Sequence, residues 1–381
     1  MTAHHPTLMS SEMTSDIDTG GYFERGSADP TSPAEQEASV EVDGFAPHLG
    51  PSSDRYFGSG YRKVEHGLHT LRFDTECGDE VTLTGTGSAQ YPARWSAGAD
   101  GTPRQPHLST IDAVVLSIRV AEVYLRHVDH LSNGDIAFAW LSAIDIKAGP
   151  APFSELDSIP VRCARTARDV LADGVVSHFK ARIGSMSVSL SVRHALPPRF
   201  HTRIDTFGSG LPEISPPATG ALTAHYRNTT HRSWLSFDSD RRDILHSRHQ
   251  IHPSAAKCDG LAGAYWPNAT VIDCLVLASQ MAQVLIFSAP GASRKTTSNL
   301  WMRRARFSSD QPPAGLSATS MLRVVKSRAF NRGSAGTLMS VDVECPDMFG
   351  IAALASLAYE VSEPGGAEHS VPIGTSAPSN E

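Results

Sequence analysis

Apolar positions crowd one stretch of the chain so closely that they cover most of the circumference of a predicted helix. The stretch runs from Pro106 to Leu125 and reads PHLSTIDAVVLSIRVAEVYL. A helix that is apolar on nearly all sides is buried rather than lying on a surface. Three charges nevertheless interrupt it, at Asp112, Arg119 and Glu122. We therefore predict a central helix whose buried charges need partners.

The same pattern occurs 161 residues further along, in PNATVIDCLVLASQMAQVLI from Pro267 to Ile286. The two stretches align without gaps, with matches that include Ser109 and Thr270, Asp112 and Asp273, Ala121 and Ala282, and Val123 and Val284. The same offset pairs Pro92 with Pro253, Trp140 with Trp301, and Arg162 with Arg323. A single offset over so long a span predicts an internal duplication, with a unit far longer than a solenoid repeat.

Strand-like segments flank both predicted helices. Before the helices lie residues 69–76 and 80–92 in the first unit, and residues 233–240 and 243–253 in the second. After them we predict turns at Ser132–Asp135 and Ser288–Lys295, extended segments from Trp140 and Trp301, and β-rich closing segments at 175–194 and 337–360. One long apolar helix per unit beside an antiparallel sheet predicts an α+β fold. A sheet wrapped around one central helix, occurring twice, resembles the double hot-dog fold.

Composition divides the chain into five regions. Residues 1–45 and 361–381 are polar and lack apolar periodicity, so we predict that both are disordered tails. Residues 46–194 and 221–360 are the first and second repeats. The Pro/Gly-rich residues 195–220 are predicted to link them.

Charge and cysteine content exclude several classes of function. The net charge is −7 and the sequence has no basic cluster, so we expect no nucleic-acid partner. The sequence has no signal peptide and no long apolar run, which predicts a cytoplasmic protein that does not bind membranes. The five cysteines lack metal-ligand spacing, and the 17 histidines form no HxxxH pair within a predicted helix. We therefore expect neither a metal site nor a cofactor.

The three charges of the first helix share one stripe, and the matching residues of the second helix are Asp273, Gln280 and Gln283. Ser109 and Thr270 each lie three residues before an aspartate, which is the spacing of a capping box. The aspartates are therefore caps, catalytic acids or both, and the spacing leaves these readings open. Arg119 and Glu122 have the spacing of a helical ion pair. Only the first helix carries these two charges, which favours one working site and one structural copy.

Two histidines lie near the ends of these helices. His107 precedes the cap of the first helix, and His252 ends the strand before the second, where its repeat counterpart is Tyr91. A histidine that faces a helix acid is suited to acid–base chemistry, because histidine titrates near neutral pH. An ordinary surface histidine remains the alternative for His252.

Four blocks of the sequence resemble the avirulence D (AvrD) family, namely LGPSSDRYFGSGYRKV (49–64), YPARWS (91–96), PHLSTIDAVVL (106–116) and IDIKAGPAP (144–152). The resemblance is strong over residues 49–165 and looser as far as residue 360. The family is associated with acyl-sugar lactone signals (syringolides), which combine a β-ketoacyl chain with a pentulose. This chemistry is similar to that of the A-factor synthase family, a double hot-dog that joins a β-ketoacyl thioester to a triose phosphate.

The resemblance implies an enzyme that transfers a β-ketoacyl group from acyl-CoA or an acyl carrier protein to a small sugar-like hydroxyl acceptor, either alone or as a homo-oligomer. We expect the catalytic residues to be Asp112, His107, His252 and Glu122. The expected substrate-binding residues are Tyr91, Ser109, Arg119 and Asp273.

Two alternatives remain at this point. The first is an acyl-thioester thioesterase or dehydratase. Hot-dog dehydratases pair a loop histidine with a helix acid of the neighbouring unit, and His252 is the nearest match to that histidine. The position of the acid, however, falls on Ser279, or on Ile118 in the first helix, so the sequence departs from the dehydratase pattern. The second alternative is a non-catalytic module that binds a lipid or a lactone.

Overall fold

The structure, a computed structural model, describes residues 43–75, 81–93, 95–97, 101–196, 214, 220, 222–253, 258–289, 297–332 and 336–361. The predicted tails lie outside these ranges except for residues 43–45 and 361. The predicted linker lies outside them except for residues 195, 196, 214 and 220. The second predicted turn lies outside them from residue 290 onwards.

Four α-helices and twelve strands occur within the described residues. The helices are α1 (Ala46–Leu49), α2 (Thr110–Val128), α3 (Asn133–Phe138) and α4 (Val271–Phe287). The strands of the first half are β1 (Glu65–Thr75), β2 (Val81–Gln90), β3 (Trp140–Lys147), β4 (Ile159–Leu171), β5 (Gly174–Ile183) and β6 (Met186–His194). The strands of the second half are β7 (Thr230–Phe237), β8 (Ile244–His252), β9 (Thr297–Ser308), β10 (Ser317–Asn331), β11 (Thr337–Met348) and β12 (Ile351–Val361).

All twelve strands belong to one sheet, in the order β1-β2-β4-β5-β6-β3-β9-β12-β11-β10-β8-β7. Counted from the outer edge to the centre, the first half has the order β1-β2-β4-β5-β6-β3 and the second half has the order β7-β8-β10-β11-β12-β9. The two orders are the same, because β7 to β12 correspond in turn to β1 to β6. The antiparallel neighbours β3 and β9 join the halves through pairs that run from Ala143 and Ser308 to Lys147 and Arg304. The two sequence units therefore share a single sheet.

Each half buries one long helix against the apolar face of this sheet. In β6, Val188, Leu190 and Val192 are buried, and polar serines alternate with them. This alternation is typical of an antiparallel sheet with one covered face. Every residue of α2 from Ile111 to Leu125 is buried, and α4 is buried along most of its length. The predicted burial of both helices is confirmed.

The turn predicted at Ser132–Asp135 is wrong, because this segment begins α3. The Ser132 hydroxyl accepts a hydrogen bond from the Asp135 N–H at 3.2 Å, and the Asp135 carboxylate accepts one from the Ser132 N–H at 2.9 Å. This is the same capping box that was recognised before α2, in a segment whose polar residues otherwise indicate a loop.

The tail predicted to extend to residue 45 is too long at its C-terminal end. The Gly44 N–H donates to the carbonyl oxygen of Ser233 at 3.0 Å, which attaches this segment to β7. Phe45 is buried, and its ring stacks on His249 with the centroids 6.3 Å apart. Burial of this aromatic ring, which removes a large apolar area from water, helps to attach the polar segment to the core.

His249 of β8 is completely buried. Its Nδ1 lies 2.9 Å from the Ser233 hydroxyl oxygen, and its Nε2 has no hydrogen-bond partner within the described part of the chain. Burial lowers the pKa of His249 to about 3, and the nearby His231 adds to this effect. The folded protein therefore keeps this ring neutral at pH values where an unfolded histidine is charged.

We predict that His249 makes the protein less stable in mild acid. The unfolded chain takes up this proton near pH 6.5 and the folded chain only near pH 3, so stability falls as the pH decreases between these values. From pH 7.5 to pH 5 this one residue should cost about 2 kcal/mol of unfolding free energy. Urea unfolding of the wild type and of His249→Gln at both pH values measures this loss of unfolding free energy. Equal losses in the two proteins would contradict the prediction.

Candidate active site

A capping box closes the N-terminus of α2, as predicted. The Ser109 hydroxyl accepts from the Asp112 N–H at 3.2 Å, and Oδ2 of Asp112 accepts from the Ser109 N–H at 2.7 Å. Thr270 and Asp273 form the same box at α4, with distances of 3.4 and 2.8 Å. The capping interpretation of both aspartates is therefore confirmed. Because a cap uses only Oδ2, the buried Oδ1 of each carboxylate still needs a partner.

His66 of β1 is the partner of Asp112. Its Nε2 lies 2.7 Å from Oδ1, and the two side chains are 3% and 0% exposed. An ionised carboxylate only accepts hydrogen bonds, so Nε2 carries the proton and Nδ1 is the basic nitrogen. Nδ1 lies 3.4 Å from the hydroxyl oxygen of Tyr226. An imidazole oriented by a carboxylate is the arrangement of a general base.

Two tyrosines of the first half complete the cluster. Tyr91, directly after β2, donates its hydroxyl proton to Oδ2 of Asp112, and its oxygen lies 3.3 Å from the carbonyl oxygen of His107. The Tyr56 hydroxyl lies 2.5 Å from that of Ser109. Burial raises the pKa of both tyrosines well above the usual value, and the negative charge of Asp112 raises it further. Both therefore remain phenols that can donate hydrogen bonds.

Trp95 and its neighbours connect this cluster with the surface. The Trp95 ring packs edge-on against Tyr91, Tyr56 and His107, with centroid distances of 4.9, 5.3 and 6.3 Å. The two tyrosines are half-buried and His107 is exposed. Gly60 lies directly against this group, since a Cβ at residue 60 would be 1.9 Å from the Trp95 carbonyl oxygen. Residue 60 of the segment FGSGY (57–61) is therefore glycine because a side chain does not fit there.

The second half of the chain reaches the cluster through Tyr226. The Tyr226 ring stacks on Tyr61 with the centroids 5.9 Å apart and the planes 14° from parallel. Burial raises the pKa of Tyr226 above its usual value. Next to it, Nε of Arg227 donates to the carbonyl oxygen of Arg62 at 2.9 Å. The surroundings of His66 are therefore built by both halves.

His66 and Tyr226 were not among the predicted site residues, although the sequence contains a signal for them. The pattern Tyr-Arg-x-x-x-His occurs at Tyr61–His66 and again at Tyr226–His231. Its offset is 165 rather than 161 residues, so an alignment without gaps does not detect it. Both copies place their Tyr-Arg pair in a 3₁₀ turn and their histidine on the strand that follows.

His231 and Asp273 form the corresponding pair in the second half. Nε2 of His231 lies 2.8 Å from Oδ1 of Asp273, and the Thr270 hydroxyl donates to Oδ2 at 2.6 Å. Burial by itself raises the pKa of Asp273, but the hydrogen bonds from His231 and Thr270 and the charge of His231 outweigh it, so this pKa lies below its usual value. The hydroxyl of Thr270, the counterpart of Ser109, thus donates to Oδ2 of Asp273 as the Tyr91 hydroxyl does to Oδ2 of Asp112.

Arg119 lies against β1 and does not form the predicted ion pair with Glu122. Its Nη1 donates to the backbone oxygen of His66 at 2.9 Å. Its Nε is buried and has no hydrogen-bond partner in the described ranges. Burial lowers the pKa of Arg119, although the charge of Glu122 counteracts this effect. Arg119 therefore contacts the backbone of the proposed base and has one unused buried donor.

Glu122 is paired elsewhere. One of its oxygens accepts from Nε and Nη2 of Arg126 at 3.0 and 2.7 Å, and the other accepts from the Leu261 N–H at 3.1 Å. Ten residues separate it from Asp112, which is about 15 Å along a helix. Glu122 therefore connects α2 to a loop of the second half, away from the His66 cluster.

The two predicted histidines do not bind Asp112. Within the described residues the carboxylate bonds to His66, Tyr91 and Ser109. The backbone of His107 contacts Tyr91, and its ring packs on Trp95. His252 is at the end of β8 in the second half, and its Nε2 is buried without a partner in the described residues.

The described residues contain no group of three or more His, Cys, Asp or Glu side chains that could hold a metal ion. None of the described helices has the length and hydropathy needed to span a bilayer.

The family model for "Pseudomonas avirulence D protein (AvrD)" matches residues 41–361 of the chain. No curated protein shows significant sequence similarity to it.

Several solved structures are similar at low identity. A protein of unknown function with a hot dog fold from Alicyclobacillus acidocaldarius is 10% identical, with a TM-score of 0.37 over 77% of this chain and 96% of that chain. A MaoC-like dehydratase is 11% identical, with a TM-score of 0.35 over 68% and 86%. A 12:0-ACP thioesterase from Umbellularia californica is 9% identical, with a TM-score of 0.34 over 74% and 94%.

We predict that Glu122 stabilises the fold and does not take part in turnover. Glu122→Ala leaves the mostly buried Arg126 and the Leu261 N–H without their acceptor, which should lower the free energy of unfolding by about 2 kcal/mol. The exposed Glu155 is the matched control, and Glu155→Ala should change stability by less than about 0.5 kcal/mol. Denaturant unfolding measures both values. Unchanged stability combined with lost turnover would show instead that Glu122 is catalytic.

Proposed function

We propose that this chain, which belongs to the Pseudomonas avirulence D protein (AvrD) family, is a biosynthetic enzyme that joins a β-ketoacyl thioester to a sugar-like hydroxyl acceptor. The product is an acyl-glycoside or butenolide precursor of a syringolide-type signal. One observation carries the proposal. The buried His66–Asp112 pair points its basic nitrogen at a tyrosine of the other half and lies beside a half-buried tyrosine that leads to the surface.

The fold that we propose for this enzyme is an α+β double hot-dog. The identical strand order of the two halves supports it, as does the single long helix buried in each half. In this arrangement the acyl chain lies beside α2, whose surroundings are apolar, and the thioester lies at the N-terminal end of that helix. The acyl donor is an acyl-CoA or an acyl carrier protein.

The first chemical step uses His66 as the base. Nδ1 takes the proton of the acceptor hydroxyl in place of its long contact with Tyr226, while the acceptor oxygen bonds to the thioester carbonyl carbon. Asp112 stabilises the imidazolium that forms, because it already accepts from Nε2. The carboxylate is also fixed by the cap of α2, so the imidazole is held in one orientation.

The second step releases the thiol. The tetrahedral intermediate carries a negative oxygen, and the hydroxyl of Tyr226, released from its long contact with His66, donates to it. The raised pKa of Tyr226 keeps its proton in place. When the carbon–sulfur bond breaks, the leaving thiolate takes the proton from His66. The ester product and a free thiol result, and the base returns to its neutral form.

Other predicted residues are assigned supporting roles. The unused Nε of Arg119 donates to an oxygen of the substrate near β1, since an unpaired buried donor is costly unless a ligand satisfies it. His107, exposed beside Trp95, contacts the acceptor at the mouth of the site. Ser109 orients both Asp112 and Tyr56.

We predict that His66→Gln lowers the rate of acyl transfer by about 100-fold to 10,000-fold, because it removes the general base. Asp112→Asn should also abolish product formation, since the amide no longer stabilises an imidazolium. The measurement is thiol release from a β-ketoacyl-CoA, with mass spectrometry of the acylated product, in the presence and absence of a sugar acceptor. Thermal midpoints of all variants show whether each protein is folded.

The second half provides matched controls. His231→Gln and Asp273→Asn change the corresponding buried pair and should leave acyl transfer within a few-fold of wild type. If only these two variants lose product formation, the active site is at α4 and not at α2. Thiol release that does not depend on the acceptor would identify a thioesterase. Stoichiometric ligand binding without any turnover would identify a binding module.

A further inference from the structure

A serine, a histidine and an aspartate from three neighbouring strands form a hydrogen-bonded chain. Nδ1 of His178 lies 2.8 Å from the hydroxyl oxygen of Ser191, and Nε2 lies 2.9 Å from Oδ2 of Asp169. An ionised carboxylate only accepts hydrogen bonds, so Nε2 carries the proton and Nδ1 accepts from the serine hydroxyl. This is the arrangement of a Ser-His-Asp triad, with the roles of the two ring nitrogens exchanged relative to the serine proteases.

The strand register brings these three side chains together. His178 of β5 lies directly opposite Ser191 of β6, and such residues share a face of the sheet with their Cβ atoms about 5 Å apart. Asp169 of β4 lies opposite Val176, two residues before the histidine, and is therefore its diagonal neighbour. All three residues belong to strands, which hold functional groups more precisely than loops do.

The chain of hydrogen bonds lies on the face of the sheet opposite the helices. Phe179 and Leu190 are buried on the helix side. His178 and Ser191 alternate with them along β5 and β6 and therefore point the other way. The sheet thus separates this group from the candidate active site at α2.

A hollow of about 260 Å³ gives access to the serine and the histidine, which both line it. Ala143 of β3 lies opposite Ser191 on its other side, and a methyl group there leaves the space above the serine open. Lys180 also lines the hollow, two residues along β5 from His178. The volume is slightly below the range of about 300 to 1,000 Å³ for drug-sized ligands, so it suits a short acyl group.

A β-bulge lies directly beside the histidine. Thr166 is the extra residue of β4, since Arg165 pairs with Phe179 and Ala167 pairs with His178. The Thr166 hydroxyl donates to the backbone oxygen of His178 at 3.3 Å. Bulges are frequent next to active sites, where they change the direction of a side chain.

The second half of the sheet does without these three residues. Counted from Arg162 and its repeat counterpart Arg323, the opposed pair that replaces the histidine and the serine is Ser340 and Ala358. Phe330 takes the place of the aspartate. The strand order is the same in both halves, so this sheet forms without the hydrogen-bonded chain.

We propose that Ser191 is the nucleophile of a second site, which hydrolyses carboxylic esters that have a short acyl group. This activity goes beyond the proposed acyl transfer and does not rest on it. In the first step, Oγ of Ser191 bonds to the ester carbonyl carbon while its proton moves to Nδ1 of His178. The ammonium group of Lys180 stabilises the negative oxygen that forms. The carbon–oxygen bond of the ester then breaks, and the alcohol leaves with the proton from Nδ1.

Water completes the reaction in the second step. It bonds to the carbonyl carbon of the acylated Ser191 and gives one proton to Nδ1 of His178. The bond between the carbonyl carbon and Oγ then breaks, and Oγ takes this proton. The net reaction consumes one ester and one water and yields an acid and an alcohol. Asp169 stabilises the imidazolium that forms in both steps.

Covalent labelling of the full-length protein tests the nucleophile directly. Diisopropyl fluorophosphate forms a phosphorus–oxygen bond with an activated serine as fluoride leaves, and peptide mass spectrometry should find this label on Ser191. His178→Gln should slow the labelling by at least about 100-fold, because it removes the base. Ser191→Ala should remove the label from this peptide. Asp169→Asn should have a smaller effect than His178→Gln, since this carboxylate is 66% exposed and water partly replaces it.

Hydrolysis of p-nitrophenyl acetate tests the turnover. We expect an initial burst of about one p-nitrophenol per chain, which is typical of an acyl-enzyme intermediate. Ser191→Ala and His178→Gln should both lose the burst, and their thermal midpoints show whether they are folded.

Ser189→Ala is the matched control. Ser189 lies two residues from Ser191 on the same face of β6, but it is opposite Lys180 and not a histidine, so its loss should leave labelling and burst unchanged. His66→Gln should also keep both, which separates this site from the proposed acyl transfer. The proposal is overturned if Ser191 is not labelled, or if it is labelled equally fast in His178→Gln. A burst that Ser191→Ala retains would also overturn it.

Discussion

The structure depends on satisfying the charges that α2 carries into the protein interior. A buried charge without a partner costs several kcal/mol, so each one must be matched by a specific contact. Asp112 is matched by His66, Arg119 by the backbone of β1, and Glu122 by Arg126 together with an N–H of the second half. These contacts fix β1 against the helix and fix the second half against the first. The candidate active site is thus one of the contacts that hold the fold together.

The same helix position has opposite roles in the two halves. Gln280 of α4 corresponds to Arg119, and it accepts a hydrogen bond from the buried Arg55 of the first half. The residue at position 119 is itself a cation, whereas the residue at position 280 binds the cationic side chain of Arg55. Two identical subunits related by symmetry would need the same residue at both places. Because both halves belong to one chain, corresponding residues can differ.

Local patterns in the sequence predict much of this structure. The features that these patterns miss depend on contacts between residues that are far apart in the sequence. Helix burial and both capping boxes follow from hydrophobic periodicity and a four-residue spacing, which are properties of short segments. His66 lies 46 residues before Asp112 and meets it only after β1 has joined the sheet. Its repeat counterpart is displaced by a change in loop length, which hides it from a gapless comparison.

Both outer strands of the sheet have a short stretch of chain paired to them. Asp43 forms a parallel bridge with Ser233 of β7, and Ile214 forms an antiparallel bridge with Leu71 of β1. Unpaired edge strands present free N–H and carbonyl groups that invite pairing with other molecules and lead to aggregation. The segment around Asp43, polar enough to resemble a tail, therefore covers part of the outer edge of β7. Shortened versions of the chain for expression should begin before this residue, so that the edge remains covered.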